Sequence, residues 1–237
     1  MALTTLDTRA PSGAWVRVQW ADGSSLADRI AGVRFVGGNY GRGFQIGTRG
    51  NHEFATTYFV AASVKKRLVV GNREVVISEA DDGSSTIVSL LGKHHELMTV
   101  FSGPAPTDVN LTGLFSVLDI DDQPEGMRVV PKKSTLLSVA SEHVLATVEN
   151  RGSVNVPSLD QGRDLLPKAR GAKTASGEVW RSRLPGVEAT ATGVENFAFT
   201  MGFSKAVAEV HLDALEDVPD SELLGWLDGI NVEWSGR

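Results

Sequence analysis

The chain of 237 residues contains no cysteine. Disulfide staples, thiolate nucleophiles and cysteine-ligated metals are therefore excluded. No apolar run approaches the roughly 20 residues that span a bilayer. The first residues, MALTTLDTRAPSG, lack the basic start and apolar core of a secretion signal. These absences predict a soluble chain with no membrane partner, placed most simply in the cytoplasm or in a phage-type particle. The sequence also has no HExxH, no GxSxG, no P-loop and no strand–GxGxxG–helix unit. His94 and His95 are adjacent in GKHHE, so on a strand they would point to opposite faces, and a turn is the simpler reading. His52, His143 and His211 are isolated. No metal and no cofactor is expected.

What is present is ordinary globular composition with an uneven charge. Hydrophobic residues make up 41% and charged residues 22%. The net charge is -6, yet residues 1–73 carry ten Lys/Arg against four Asp/Glu. Residues 206–237 carry eight acids and a single base, Arg237. Such asymmetry either closes on itself within one fold, meets a polyanion, or joins one subunit to the next, since complementary potentials set register and on-rate.

The sequence also repeats itself. DVNLTGLFSVLDID at 108–121 aligns without a gap on DSELLGWLDGINVE at 220–233, an offset of 112 (220 minus 108). Leu111, Leu114, Phe115 and Leu118 have the spacing of one helix face, and Asp108 and Asp220 stand where an N-cap belongs. Gly113 and Gly225 occupy the same helix position, which suggests close packing there. Three β-type runs precede each helix: REVVISEA, STIVSLL and ELMTVFS in the first, EVWRSRL, ENFAFTM and AVAEVHL in the second. The expected fold is α+β: antiparallel sheet with packed helices, and an internal duplication of a three-strand-plus-helix unit.

The expected organisation is a flexible arm at 1–13 and a basic β extension at 14–72. A first β-meander/helix unit at 73–126 follows, then a connecting segment at 127–177 and a second unit at 178–237. Residues 73–237 form one compact domain together with 14–72. Within the connector, MRVVPKK reads as a strand ended by Pro131, and STLLSVASEHVLATVEN fits a helix somewhat better than a strand. PSLDQGRDLLPKARGAKTASG reads as a loop with one helical turn. DIDDQPEG at 119–126 lacks the calcium-loop spacing and reads as a solvated helix exit. Of Trp15 and Trp20, five apart on a strand, one is expected in the core and the other outside.

Two stretches invite chemistry. GGNYGRGFQIGTRG, Gly37 to Gly50, interleaves arginine, glycine and aromatics as single-strand nucleic-acid binders do, but its alternation also suits strands joined by glycine turns. Ser63-x-x-Lys66, Ser153-x-Asn155 and Lys173-Thr-Ala-Ser resemble the three boxes of serine β-lactamases and penicillin-binding proteins. That resemblance implies an acyl-transfer enzyme with Ser63 as nucleophile and Lys66 as base. Ala175 replaces the glycine of the third box, and TYFVAASVKKRLVV around Ser63 reads as strand.

The reading that follows is a non-enzymatic binding or assembly subunit, a structural or particle component or an adaptor, and a homo-oligomer. Its basic surface would comprise Arg34, Tyr40, Arg42, Phe44, Arg49, Lys65, Lys66 and Arg67. The acidic complement, on a protein partner or another copy, would comprise Glu216, Asp217, Asp220, Glu222, Asp228 and Glu233. The alternatives are a nucleic-acid or polyanion-binding module and the Ser63/Lys66 enzyme.

Overall fold

β-Branched runs broken by glycine turns dominate the chain, and strands dominate the computed structural model, which describes residues 3–38, 40–214 and 218–236. In chain order the elements are β1 (Leu3–Arg9), β2 (Trp15–Ala21), β3 (Leu26–Gly37), β4 (Tyr40–Thr48), α1 (Asn51–Tyr58), β5 (Ala62–Val70), β6 (Arg73–Ala80), β7 (Ser85–Leu91), β8 (His95–Ser102), α2 (Asp108–Ser116) and β9 (Leu118–Gln123). There follow β10 (Gly126–Pro131), β11 (Ser138–Val148), β12 (Gly152–Pro157), α3 (Leu159–Leu165), β13 (Ala172–Lys173), β14 (Gly177–Arg183), β15 (Phe197–Phe203), β16 (Val207–Leu212), α4 (Asp220–Asp228) and β17 (Asn231–Ser235). The fold is α+β, mostly antiparallel sheet with four helices among the described residues.

The chain divides into two compact units. Unit 1 comprises residues 1–8, 14–29 and 143–237, and unit 2 comprises 9–13 and 30–142. From β3 to β9 the order of elements is the same as from β11 to β17. Five pairs of elements, β3 and β11, β4 and β12, β7 and β15, β8 and β16, α2 and α4, begin 112 residues apart. The strand ladders also run in one order: β3-β4-β8-β7-β6-β5 in unit 2, and β11-β12-β16-β15-β14-β13 in unit 1.

In unit 2, β6, β7 and β8 carry the three expected runs. Burial along β7 is nearly continuous, so the strand is covered on both faces. Val75, Ile77, Ile87 and Leu97 form the core there. The β6–β7 turn is the Asp-Gly hairpin expected from the sequence: Gly83 takes φ +69°, and Asp82 Oδ1 accepts the Ser84 N–H at 2.9 Å. The buried Thr99 hydroxyl is satisfied by backbone, its Oγ1 donating to the Gly43 carbonyl at 2.8 Å.

Several expectations are corrected. Residues 3–9 are not a loose arm: β1 pairs with β2 in a sheet ordered β1-β2-β17, with Leu6 and Thr8 buried and Asp7 bound to Arg17 at 2.7 Å. The weakly preferred helix at 134–150 is strand β11, because Val144, Ala146 and Val148 alternate inward and pair with β12. TYFVAASVKKRLVV is not all strand, since α1 runs to Tyr58 before β5 begins at Ala62. DIDDQPEG is not a helix exit. It is β9 and its hairpin turn into β10, and its acids are paired: Asp119 with Arg128 at 2.9 Å, Asp121 with Arg9 at 3.1 Å, Asp122 with His95 at 2.7 Å. Local cations and strand alternation outweigh the acidic run's preference for solvent.

The helix ends and glycines also differ from expectation. α2 is capped by Thr107, whose hydroxyl accepts the Asn110 N–H at 3.4 Å, and Asp108 is the first helical residue. α4 starts after Pro219 without a side-chain cap. Gly113 and Gly225 mark no close packing, for a Cβ at either would meet nothing within 4 Å. Trp20 is fully buried and Trp15 exposed, as the spacing of five requires.

Candidate functional site

Helix α1, NHEFATTY, is poor by propensity and is held by what lies beneath it. It begins at Gly50, φ +96°, with no side-chain cap of its own. The missing acceptor comes from β8. Glu96, only 3% exposed, takes the Gly50 N–H at 3.0 Å and the His52 N–H at 2.7 Å. A carboxylate there also faces the positive end of the helix dipole. The buried His52 ring bridges Ser89 Oγ at Nδ1 and Ser78 Oγ at Nε2, both at 2.8 Å. Burial lowers the His52 pKa, so the ring is held neutral. Ala55 packs against Ile87, Met98 and Val60.

With that face fastened, the opposite one presents aromatics. Phe54, Tyr58 and Phe59 are 51%, 73% and 75% exposed. Their rings form one cluster, with centroids 5.0 Å apart for Phe54–Tyr58 and 5.4 Å for Phe54–Phe59. After Ala61, held at φ +48°, the chain enters β5, the last strand of the unit 2 ladder. Among the described residues β5 pairs with β6 and with no other strand, so its other side is a sheet edge. Val64 and Val69 are exposed on it, and a bulge between Val64 and Lys66 leaves Lys65 outside the pairing register.

The proposed basic residues fare differently from one another. Lys65 on β5 and Arg34 on β3 are exposed. Lys66 is ion-paired with Asp108, and Arg67 with Glu74 at 2.6 Å. Arg49 donates to the Gly92 carbonyl at 3.1 Å and lies 3.8 Å from Glu96. Arg42 stacks on Phe101 at 3.9 Å and donates to the Val100 carbonyl at 3.0 Å. Phe44 belongs to the core, packed between Phe35 and Phe115, and is not a surface residue. The Tyr40 side chain lies outside the described residues, and its backbone opens β4. Ser63 and Lys66 are both on β5, and the Lys66 ammonium meets Asp108 rather than Ser63. Ser153, Asn155 and Lys173 fall in unit 1.

Of the proposed acids, Asp220, Glu222 and Asp228 lie on the exposed side of α4, where Leu224 stands 41% exposed between them. Glu222 meets Arg151 at 2.9 Å, and Asp228 accepts the Ala175 N–H at 3.1 Å. Glu233 on β17 is opposite Arg17 and 3.7 Å from Lys205. Glu216 and Asp217 lie outside the described residues.

The aromatic triad was not found from sequence, although Phe54, Tyr58 and Phe59 at i, i+4 and i+5 carry the signal. No helix among the described residues is long and apolar enough to cross a membrane. No protein-family model, curated protein or solved structure matches the chain.

Proposed function

We propose that the chain is a non-enzymatic assembly subunit built by duplication of a unit of about 112 residues, and that it joins copies head to tail. The duplication is supported by the common order of elements and by element starts 112 residues apart. The observation that carries the assembly reading is the exposed aromatic triad of α1 beside the open, basic edge of β5. The duplicated plan does not require it. The corresponding helix α3, LDQGRDL, has no aromatic residue, and the corresponding edge strand β13 has two residues.

Three rings of roughly 150–250 Å² each, about two-thirds exposed, leave on the order of 400 Å² of apolar surface in one patch. That is about half of what one side of a standard interface buries, so β5 and its basic side chains complete the contact. A symmetric β5–β5 pairing would set the exposed Lys65 against its own copy and is disfavoured. The complement is the α4 face of a second copy, with Asp220 and Asp228 around Leu224. Contacts between two different patches form rings or filaments rather than closed pairs.

Light scattering across protein and salt concentration tests this. Association is expected at about 50 mM salt and weakens as charges are screened. Phe54→Ser with Tyr58→Ser abolishes it. A monomer at every salt and concentration would overturn the reading, and tight oligonucleotide binding by that monomer would favour the polyanion alternative.

A further inference from the structure

Unit 2 has a second open feature, a groove of about 670 Å³ along α2. Val109 and Leu114 line it from the helix, Val117 from the residue that caps its C-terminus, Phe101 from β8, and Leu136 from the loop before β11. Val109 is 80% exposed, so the groove lies open to solvent. Its volume falls within the range of small-molecule sites. A lining of this kind favours an elongated apolar molecule.

One charged side chain, Arg42, reaches the groove among its lining residues. The Phe101 ring and the Val100 carbonyl hold its guanidinium in place. Its Nε is buried and has no hydrogen-bond partner among the described residues. A planar guanidinium in the lining of an apolar groove matches a carboxylate, which its two terminal nitrogens can meet through two parallel hydrogen bonds.

Unit 1 shows that the groove is not a by-product of the fold. At the offset of 112, Arg42 corresponds to Val154, Phe101 to Asp213, Val109 to Ser221, Asn110 to Glu222 and Leu114 to Trp226. There Glu222 binds Arg151, which also holds Asp22 at 2.7 Å, and Trp226 is buried. The equivalent positions in unit 1 thus hold polar, ion-paired or buried residues, whereas those of unit 2 are mostly apolar with one cation.

We propose that this groove binds a long-chain monocarboxylate of the fatty-acid class, its tail along α2 and its carboxylate on Arg42. The groove has no lining residue from α1 or β5, so binding there and assembly through that surface are tested separately.

The test is calorimetric titration of the full chain with dodecanoate below its micelle-forming concentration, beside dodecanol and dodecyltrimethylammonium. One dodecanoate binds per chain, and dodecyltrimethylammonium does not. Arg42→Gln weakens dodecanoate by about tenfold or more and leaves dodecanol unchanged. Gly113→Leu removes binding of both, because Gly113 lines the groove and a side chain there enters open space. Replacing a helical glycine also favours the helix, so circular dichroism and melting should show this variant folded. The proposal is overturned if dodecanoate does not bind, binds at many equivalent weak sites, or binds Arg42→Gln as well as the parent. Equal binding of the cationic amphiphile overturns it too.

Discussion

Removing the Glu96 carboxylate should release α1, the helix that carries the aromatic triad. In Glu96→Ala the His52 N–H loses its 2.7 Å acceptor inside a buried site, and the Gly50 N–H loses its 3.0 Å acceptor at an exposed residue. A buried hydrogen bond to a charged group is worth about 1.5–3 kcal/mol, while water can replace the bond at Gly50, leaving about 1 kcal/mol there. The lost charge at the helix N-terminus adds about 0.5 kcal/mol. Relief of carboxylate burial returns part of this, so the net cost is about 3 kcal/mol. At about 2–4 °C per kcal/mol for a chain of this size, the melting midpoint falls by about 6–12 °C. Glu96→Gln keeps one acceptor oxygen and should lose about half as much. Differential scanning calorimetry reads both values, and limited proteolysis should locate new cleavage near α1. A Glu96→Ala midpoint within about 1 °C of the parent would refute the capping role. So would Glu96→Gln proving as damaging as Glu96→Ala.

Gly152 has φ +131°, and a Cβ there would lie 2.0 Å from the His211 carbonyl oxygen, so Gly152→Ala should cost about 3 kcal/mol or more in denaturant unfolding. Gly113→Ala and Gly225→Ala, both facing open space, should instead stabilise by up to about 1 kcal/mol each in the same assay. Stability should also fall with acid in two stages. Burial lowers the pKa of His52 and of His143. The unfolded chain therefore takes up protons below about pH 6.5 that the folded chain refuses, and stability declines from there. For Asp122, burial alone would raise the pKa, but the His94 and His95 N–H groups and the His95 ring overcome it and hold it below the ordinary range. Its contribution is present above about pH 3.9 and is lost as pH falls through the lowered folded value. Urea midpoints from pH 8 to pH 3 check the sign, and a midpoint constant from pH 7 to pH 4 would contradict it.

The sheet-forming half of the fold was legible where alternation and turn chemistry agreed. REVVISEA, STIVSLL and ELMTVFS became β6, β7 and β8 because Asp-Gly and Gly-Lys-His-His leave no other place to turn. The 112-residue offset, seen first in one helix pair, reappears in four strand pairs that the sequence does not match residue by residue. β11 was misread because Leu137, Ala140, Val144 and Val148 satisfy a helical period as well as a strand period, and pairing with β12 decides between them. The basic surface was overestimated for a similar reason. Counting Lys66 and Arg67 as free charges ignores Asp108 and Glu74, which come beside them only on folding. The aromatic triad was hidden because Glu96, distant in sequence, creates the helix that groups it.

The most direct test of assembly is a photo-crosslinking residue at position 58, Tyr58→p-benzoylphenylalanine, in an equal mixture of ¹⁴N- and ¹⁵N-labelled chains at about 50 mM salt. Mixed-isotope adducts are expected from residue 58 to the α4 segment, residues 218–230. Adducts confined within single chains, or none at any protein concentration, would contradict it.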